Sequence, residues 1–445
     1  MHIKKSVLAG TICSLLATSI QAATELETLI EILRTNGSID EDQYGRLKKE
    51  IKINNARTAS EKNVMKTQLD KSTSVTVTIN KGGISAKNRD GSFNIKIGGR
   101  VQIDAASYDT ETGSTTNYGN GTEIRRARLY VQGKMYNDWR YKLQYDFTST
   151  GKAGIKDAYV SYRGLGDISI KLGNFKDPFM LQEQTSSKYI TFTERALPDA
   201  FSAGRHIGIM TSTTHKYWTA AFGLFGDTVN TKATSENEGW GVGGRLTHAP
   251  VNKKTSIIHF GAAANYRTSS AGSTVRFKQQ AETHIAGVNI VDTGEISLVD
   301  DYLKLGLEFA AVAGPFSTQA EYLTVSVSRA GENLNFDGWY AEAAYFLTGE
   351  SRNYKAGKFG SIKPKMIVGR EGIGAWQIAA RYSTINLNDA DINGGEADIM
   401  ALGINWFPAP TLRFSANYVK VLNVQGGAQN NQEPNLVQVR AQWAF

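Results

Sequence analysis

The stretch from Glu123 to Phe147, EIRRARLYVQGKMYNDWRYKLQYDF, has a period of two residues over nearly its whole length, which a helix cannot use and a strand pair can. Tyr136-Asn137-Asp138 separates its two halves. In the second half Tyr141, Leu143, Tyr145 and Phe147 share one face, and Arg140, Lys142, Gln144 and Asp146 the other. In the first, Leu129, Val131, Gly133 and Met135 oppose Arg126, Arg128, Tyr130, Gln132 and Lys134. A soluble sandwich would bury the apolar face. A transmembrane barrel turns it to lipid and keeps the charged face in a wet lumen. The stretch is compatible with both.

The rest of the chain decides. Alternating segments begin near 93, 124, 139, 155 and 168 and continue near 205–213, 216–225, 239–248, 256–267, 301–312, 315–328, 336–347, 374–387, 397–407, 410–421 and 435–445. They number sixteen, the even count of a closed antiparallel barrel. With the first strand running outward, the turns at Tyr136-Asp138, Gly164-Asp167, Ala313-Pro315 and Pro408-Pro410 fall on the periplasmic side and are short. The connections at 106–122, 176–204 and 268–300 fall outside and are long, as outer-membrane barrels require. Thr348 to Ile373 breaks the rule and has room for a further strand pair. The last segment ends on an aromatic, Phe445, as the terminal strands read by the barrel assembly machinery do. Trp139, Trp376, Trp406, Trp443 and Tyr418 are placed near strand ends, at the membrane interface.

The fold class is therefore all-β, a transmembrane antiparallel barrel of sixteen strands over residues 72–445, preceded by a short periplasmic helical segment. Residues 1–23 have the order of a secretory signal peptide: Lys4 and Lys5, an apolar run from Val7 to Ile20, then Ala22 and Ala23. Cys13 lies inside it, so the mature chain has no thiol for disulfides or metal ligation. In the segment 24–71, Leu26, Leu29, Ile30 and Leu33 form a helical stripe that should stop at Asn36-Gly37. Ser38 and Glu41 form a capping box for a second short helix with Tyr44, Leu47 and Ile51. These stripes pack either as a hairpin or against copies in neighbouring subunits. Residues 52–71 read as a linker or loose helix, and Val75, Val77 and Ile79 as a brief strand.

Charge points to the lumen. The chain is formally +8, of which Lys4 and Lys5 carry two, and residues 24–71 are neutral, so the remaining excess lies on the barrel. The polar strand faces carry Lys96, Arg100, Arg126, Arg128, Lys134, Arg140, Lys142, Lys171, Arg245, Arg267, Lys304, Arg381, Arg413 and Arg440. The acids on those faces, Asp104, Asp146, Asp157, Glu308 and Glu321, are fewer. Basic side chains around a narrow aqueous path concentrate anions. Scattered histidines with no G-x-S-x-G argue against an enzyme, no cofactor or metal is expected, and cations that alternate into a lumen argue against nucleic-acid binding.

GGRVQID (98–104), RRARLYVQG (125–133), DWRYKLQYDF (138–147), TSSKYIT (185–191), FLTGE (346–350), KFGSIKP (358–364), GAW (374–376), LGINW (402–406) and SANYVK (415–420) occur in that order. The set resembles the phosphate-selective porin family of Gram-negative outer membranes, from Phe93 to Phe445. The resemblance implies a homotrimer in outer-membrane lipid, with loops folded into the pore as a basic constriction for phosphate or polyphosphate. It also implies that the amino-terminal helical segment assists trimerisation. By the same resemblance Arg100, Arg125 and Arg126 match pore-lining arginines, Asp157 a central acid, and Lys188 the lysine of the constriction loop, with Ser186, Ser187 and Thr185 as added hydroxyl donors. Arg245 joins them from the lumen face. Two departures stand out. Arg128 replaces an aromatic, and a ladder of loop cations is reduced to Arg276 and Lys278 with Gln280, which favours anion preference over strict phosphate selectivity. The competing reading is a general diffusion porin for small solutes with modest anion preference.

Overall fold

The computed structural model describes residues 26–73, 75–80, 82–109, 116–229, 238–269 and 274–445. The predicted signal peptide lies outside these residues. The chain divides into two compact units, Met1–Thr76 and Val77–Phe445, a boundary five residues beyond the predicted one.

The first unit is a helical hairpin. Residues 26–35 are helical and end in a Schellman turn: Gly37 has φ +69°, Ser38 N–H donates to Leu33 O (2.9 Å) and Gly37 N–H to Arg34 O (3.0 Å). Ser38 is thereby used to close one helix and does not open the next. The capping box is Asp40 with Gln43, at 2.7 and 3.0 Å, and Glu41 pairs with Arg34 instead. The second helix is not short. It runs from Glu41 to Thr73, because no Gly or Pro interrupts it after Gly45, so of the two readings of residues 52–71, linker or loose helix, the structure has the helix. Ile30, Tyr44 and Ile51 pack together with Ile39, as the hairpin reading requires, while Leu26, Leu29 and Leu47 stay exposed.

The second unit is a closed barrel of sixteen antiparallel strands. They are β1 (Asn94–Asp109), β2 (Gly121–Met135), β3 (Trp139–Asp146), β4 (Ile155–Leu165), β5 (Ile168–Lys176), β6 (Arg205–Thr214), β7 (Trp218–Phe225) and β8 (Gly241–Lys253). Then come β9 (Ser256–Thr268), β10 (Val299–Ala313), β11 (Phe316–Arg329), β12 (Glu332–Phe346), β13 (Ala375–Asp389), β14 (Ile392–Ala409), β15 (Leu412–Gln425) and β16 (Asn435–Ala444). β16 closes on β1, with Trp443 opposite Val101 and Ala444 opposite Arg100. Phe445 finishes the seam by exchanging backbone hydrogen bonds with Gly99, at 2.8 and 3.1 Å. No Cβ fits at Gly98, where the Tyr130 hydroxyl lies 2.3 Å from its ideal position.

The alternation works as expected on the outer surface. Ile103, Leu129, Leu143, Leu172, Phe222, Leu246, Phe260 and Leu307 are exposed on the wall, ready for lipid. Aromatics cluster at the short-turn end: Trp376 stacks on Trp406 (5.5 Å), Trp406 on Phe414 (5.5 Å) and Trp443 on Phe445 (4.4 Å). Tyr418 sits mid-strand, because β15 continues to Gln425.

The long connection after β12 adds no wall strand. It contains a small ribbon, Tyr354–Lys355 with Lys358–Phe359, so the count stays at sixteen. The lumen is largely filled from the other end. Phe179, Phe192, Leu197 and Phe201 of the connection between β5 and β6, and Phe277, Ile290, Val291 and Ile296 of that between β9 and β10, form one buried cluster. They pack on Leu323, Val325, Phe336, Ile385, Ile399 and Val421 of β11–β15.

Candidate functional site

The polar faces of β1–β8 remain uncovered by that cluster and surround a cavity of about 610 Å³. Arg100 comes from β1, Arg126, Arg128 and Tyr130 from β2, Lys142 from β3, and Asp157, Tyr159 and Arg163 from β4. Lys171 of β5, Arg205 of β6 and Arg245 of β8 complete the wall. The connection 177–204 adds Glu183, Ser186, Ser187, Lys188, Tyr189 and Arg195, and the ribbon after β12 adds Lys358 and Phe359. Twelve lysines and arginines against two carboxylates, Asp157 and Glu183, line it.

Many of these cations are already paired. Arg128 Nε lies 2.6 Å from Asp146, and Asp157 is held between Lys142 and Arg205, the latter at 3.0 Å. Glu194 gathers Arg126 (3.1 Å), Arg125 (3.0 Å) and Arg440 (2.6 Å). Adjacent Arg125 and Arg126 reach one carboxylate because the β1–β2 register slips at Gln102/Ile103. Arg245 is bidentate on Glu308 (2.7 and 2.6 Å), and Glu183 takes Lys176 (3.0 Å) and Arg195 (2.9 Å). Among the described residues, Arg100, Arg163, Lys171, Lys188 and Lys358 line the cavity with no carboxylate at ion-pair distance.

The connection 177–204 is fixed from several sides. It enters through Met180 at φ +61° and a single helical turn, Leu181–Gln184, whose first two N–H groups donate to the buried Glu321 carboxylate, that of Gln182 at 3.0 Å. Farther on, Thr191 donates to Glu342 (2.6 Å) and Arg413 donates to Ile190 O (2.7 Å). Arg100 Nη1 donates to Ser186 Oγ (3.0 Å) and Gln102 to Ser187 O (3.2 Å). Arg100 Nε and Ser187 Oγ are buried with no protein partner.

Between these anchors Lys188 lies 5.3 Å from the Tyr189 ring centre and 5.9 Å from that of Tyr130. Burial, with Arg100, Lys142 and Lys96 nearby, pulls its ammonium down to about 8. A second cavity, about 250 Å³, carries Lys96, Lys363 and Arg413, and shares Tyr130, Lys188 and Tyr189 with the first.

The structure thus brings Arg100, Arg126, Arg128, Asp157, Ser186, Ser187, Lys188 and Arg245 to one cavity, with Arg125 beside it on Glu194. It does not bring Arg276 or Lys278 there. Arg276 is bidentate on Asp292 (2.6 and 2.7 Å), and Lys278 is exposed on the same outer connection. Several predicted lumen cations also line neither cavity and hold loops instead: Arg381 binds Glu282 and Glu194 O, Arg440 binds Glu194 (2.6 Å), and Lys304 donates to Ser202 O (3.2 Å). Strand alternation could not find Glu183, Glu194 or Glu282, which come from connections, nor Lys358, whose KFGSIKP segment was visible only as a motif.

Residues 95–445 match the family described as phosphate-selective porin O and P. Porin O of Pseudomonas aeruginosa is 30% identical over 386 residues, 76% of this chain and 85% of that protein. An uncharacterized protein of Caulobacter vibrioides is 33% identical over 361 residues, 78% of this chain and 71% of that one. Among solved structures, the anion-selective porin from Comamonas acidovorans superposes with a TM-score of 0.52 at 15% identity, covering 79% of this chain and all of that one. The outer-membrane channel DcaP of Acinetobacter baumannii gives 0.51 at 12%, covering 81% and 99%.

Proposed function

Because the chain belongs to the phosphate-selective porin O and P family, and is an outer-membrane channel for anions and not an enzyme, we propose that it takes up phosphate or polyphosphate passively, with the connection 177–204 as the constriction. The observation that carries this reading is the position of Lys188 in the wall common to both cavities, with Arg100, Lys171 and Lys358 lining the first cavity without a carboxylate at ion-pair distance among the described residues, and Ser186 and Ser187 beside them in its lining. An oxyanion that sheds water needs several donors at once, and a guanidinium, a hydroxyl and an ammonium supply them. Release stays possible because the paired cations add field but offer few free donors. The description of the family names phosphate, and the Comamonas porin is described as anion-selective.

A second reading, a general porin with modest anion preference, draws on those same ion pairs, since Arg126, Arg128, Lys142, Arg205 and Arg245 are each balanced by a carboxylate. The experiment that separates the two is the reversal potential of the purified protein in a planar bilayer under a potassium chloride gradient, followed by phosphate titration. Anion selectivity with block by low phosphate supports the binding constriction. Selectivity without block moves the function to the general porin, and cation selectivity overturns both. We further assign Leu26, Leu29 and Leu47 of the periplasmic helical unit to contacts within a homotrimer, and Phe445 to recognition by the barrel assembly machinery.

A further inference from the structure

The connection from Leu347 to Gly374 has two limbs with different surroundings. The first limb is in the lumen. Arg245 Nη2 donates to Gly357 O (2.8 Å), Tyr354 Oη lies 2.6 Å from His259 Nδ1, and Phe359 N–H donates to Thr185 Oγ1 of the constriction loop (3.3 Å). The second limb ends on the outside of the wall. Ile373 O accepts from the indole N–H of both Trp406 (2.8 Å) and Trp376 (3.2 Å), the stacked pair of the aromatic belt, and Val368 N–H donates to Pro408 O (3.0 Å).

We propose that this second limb is a lipid-binding foot, which sets Met366, Val368 and Ile373 into the inner leaflet of the outer membrane and places Lys365 and Arg370 on phospholipid phosphates. The three apolar side chains are 53%, 46% and 68% exposed, and Leu347, at the start of the connection, is 58% exposed. Such a run is costly in water. It is continuous with the tryptophan belt, where amphipathic groups meet the headgroups. Lys365 and Arg370 are exposed on the same limb and outnumber its one exposed carboxylate, Glu371, so the charge suits an anionic lipid surface. Tethered at Ile373 to the belt and at Phe359 to the constriction loop, the connection links lipid contact to the cavity wall.

The test uses the full mature barrel in phosphatidylethanolamine/phosphatidylglycerol vesicles, with a single nitrobenzoxadiazole label at Val368→Cys, compared with Lys278→Cys at the opposite mouth. Retained channel conductance establishes folding in each variant. The expected result is at least threefold stronger quenching at Val368→Cys by lipids with shallow doxyl groups, with protection from iodide, and a reduced difference when Arg370→Glu is added. Iodide quenching equal to that at Lys278→Cys overturns the proposal. So does efficient disulfide capture between Val368→Cys protomers, which would make a second copy of the chain the occupant. Neither outcome depends on which solute the channel carries.

Discussion

The inner wall of the barrel is two different surfaces. On β1–β8 it is basic and wet, and the side chains facing inward bound the larger cavity. On the outer halves of β11–β15 it is apolar and dry, and the inward side chains receive the loops. β11 shows the change within a single strand: Ser317, Gln319 and Glu321 point inward, then Leu323, Val325 and Val327, while Ser326 faces out. Alternation identifies a strand, but what its inner face meets depends on which loop lands there. One wall bounds the larger of the two cavities, and the other holds the two long connections.

The largest test of this division is on the dry side. Phe336 is buried and packs 5.8 Å from Phe277. Phe336→Ala should cost about 3 kcal/mol of loop packing. Trypsin cleavage at Arg276 or Lys278 should then rise roughly a hundredfold. Unchanged cleavage would show that the outer connection is held by something other than this cluster.

On the wet side the largest effect belongs to Lys188. Losing one charge-assisted donor is worth about 1.5 kcal/mol, so Lys188→Ala should weaken phosphate block roughly tenfold while heat-modifiable gel mobility stays native. The wild-type channel should also be pH-dependent. With its pKa near 8, Lys188 is charged at pH 7 and largely neutral at pH 9, so block by sulfate, whose own charge is constant, should fall across that interval. Lys188→Arg should remove the pH dependence, because a guanidinium stays protonated there. A wild-type response that matches the arginine variant would place the titrating group elsewhere.

Asp157→Asn releases Lys142 and Arg205 into the cavity and should raise the anion-to-cation permeability ratio about twofold. No rise would mean that this triad lies off the conducting path. The smallest effect is expected at Arg276, whose charge is balanced by Asp292 and Glu295 away from both cavities. Arg276→Gln should leave conductance and block within error, and a measurable loss would bring the outer connection into the path.

Much of the barrel was legible because its information is local. Sixteen alternating segments, short turns at one end and an aromatic last residue are properties of neighbouring residues, and the strand bounds differ from the reading by a few positions. The helical unit was less legible for the same kind of reason: Ser38 could cap one helix or close another, and only the Schellman hydrogen bond to Leu33 chooses. The site was half legible. Arg100, Arg126 and Arg128, read from strand alternation, line one cavity together with Lys188, which only the resemblance of TSSKYIT had singled out. Their pairing was not legible, because Glu183 and Glu194 arrive on a connection whose path no periodicity encodes.

By itself, then, the amino-acid sequence determined that this chain forms a sixteen-stranded outer-membrane barrel with a basic excess on its strands, since side-chain alternation and terminal residues act over a few positions. Only the tertiary structure decided which cations remain unpaired beside water and which clamp loops. That choice is made by long-range contacts, where a carboxylate on one connection, such as Glu194, neutralises Arg126 and Arg440 from opposite ends of the sequence.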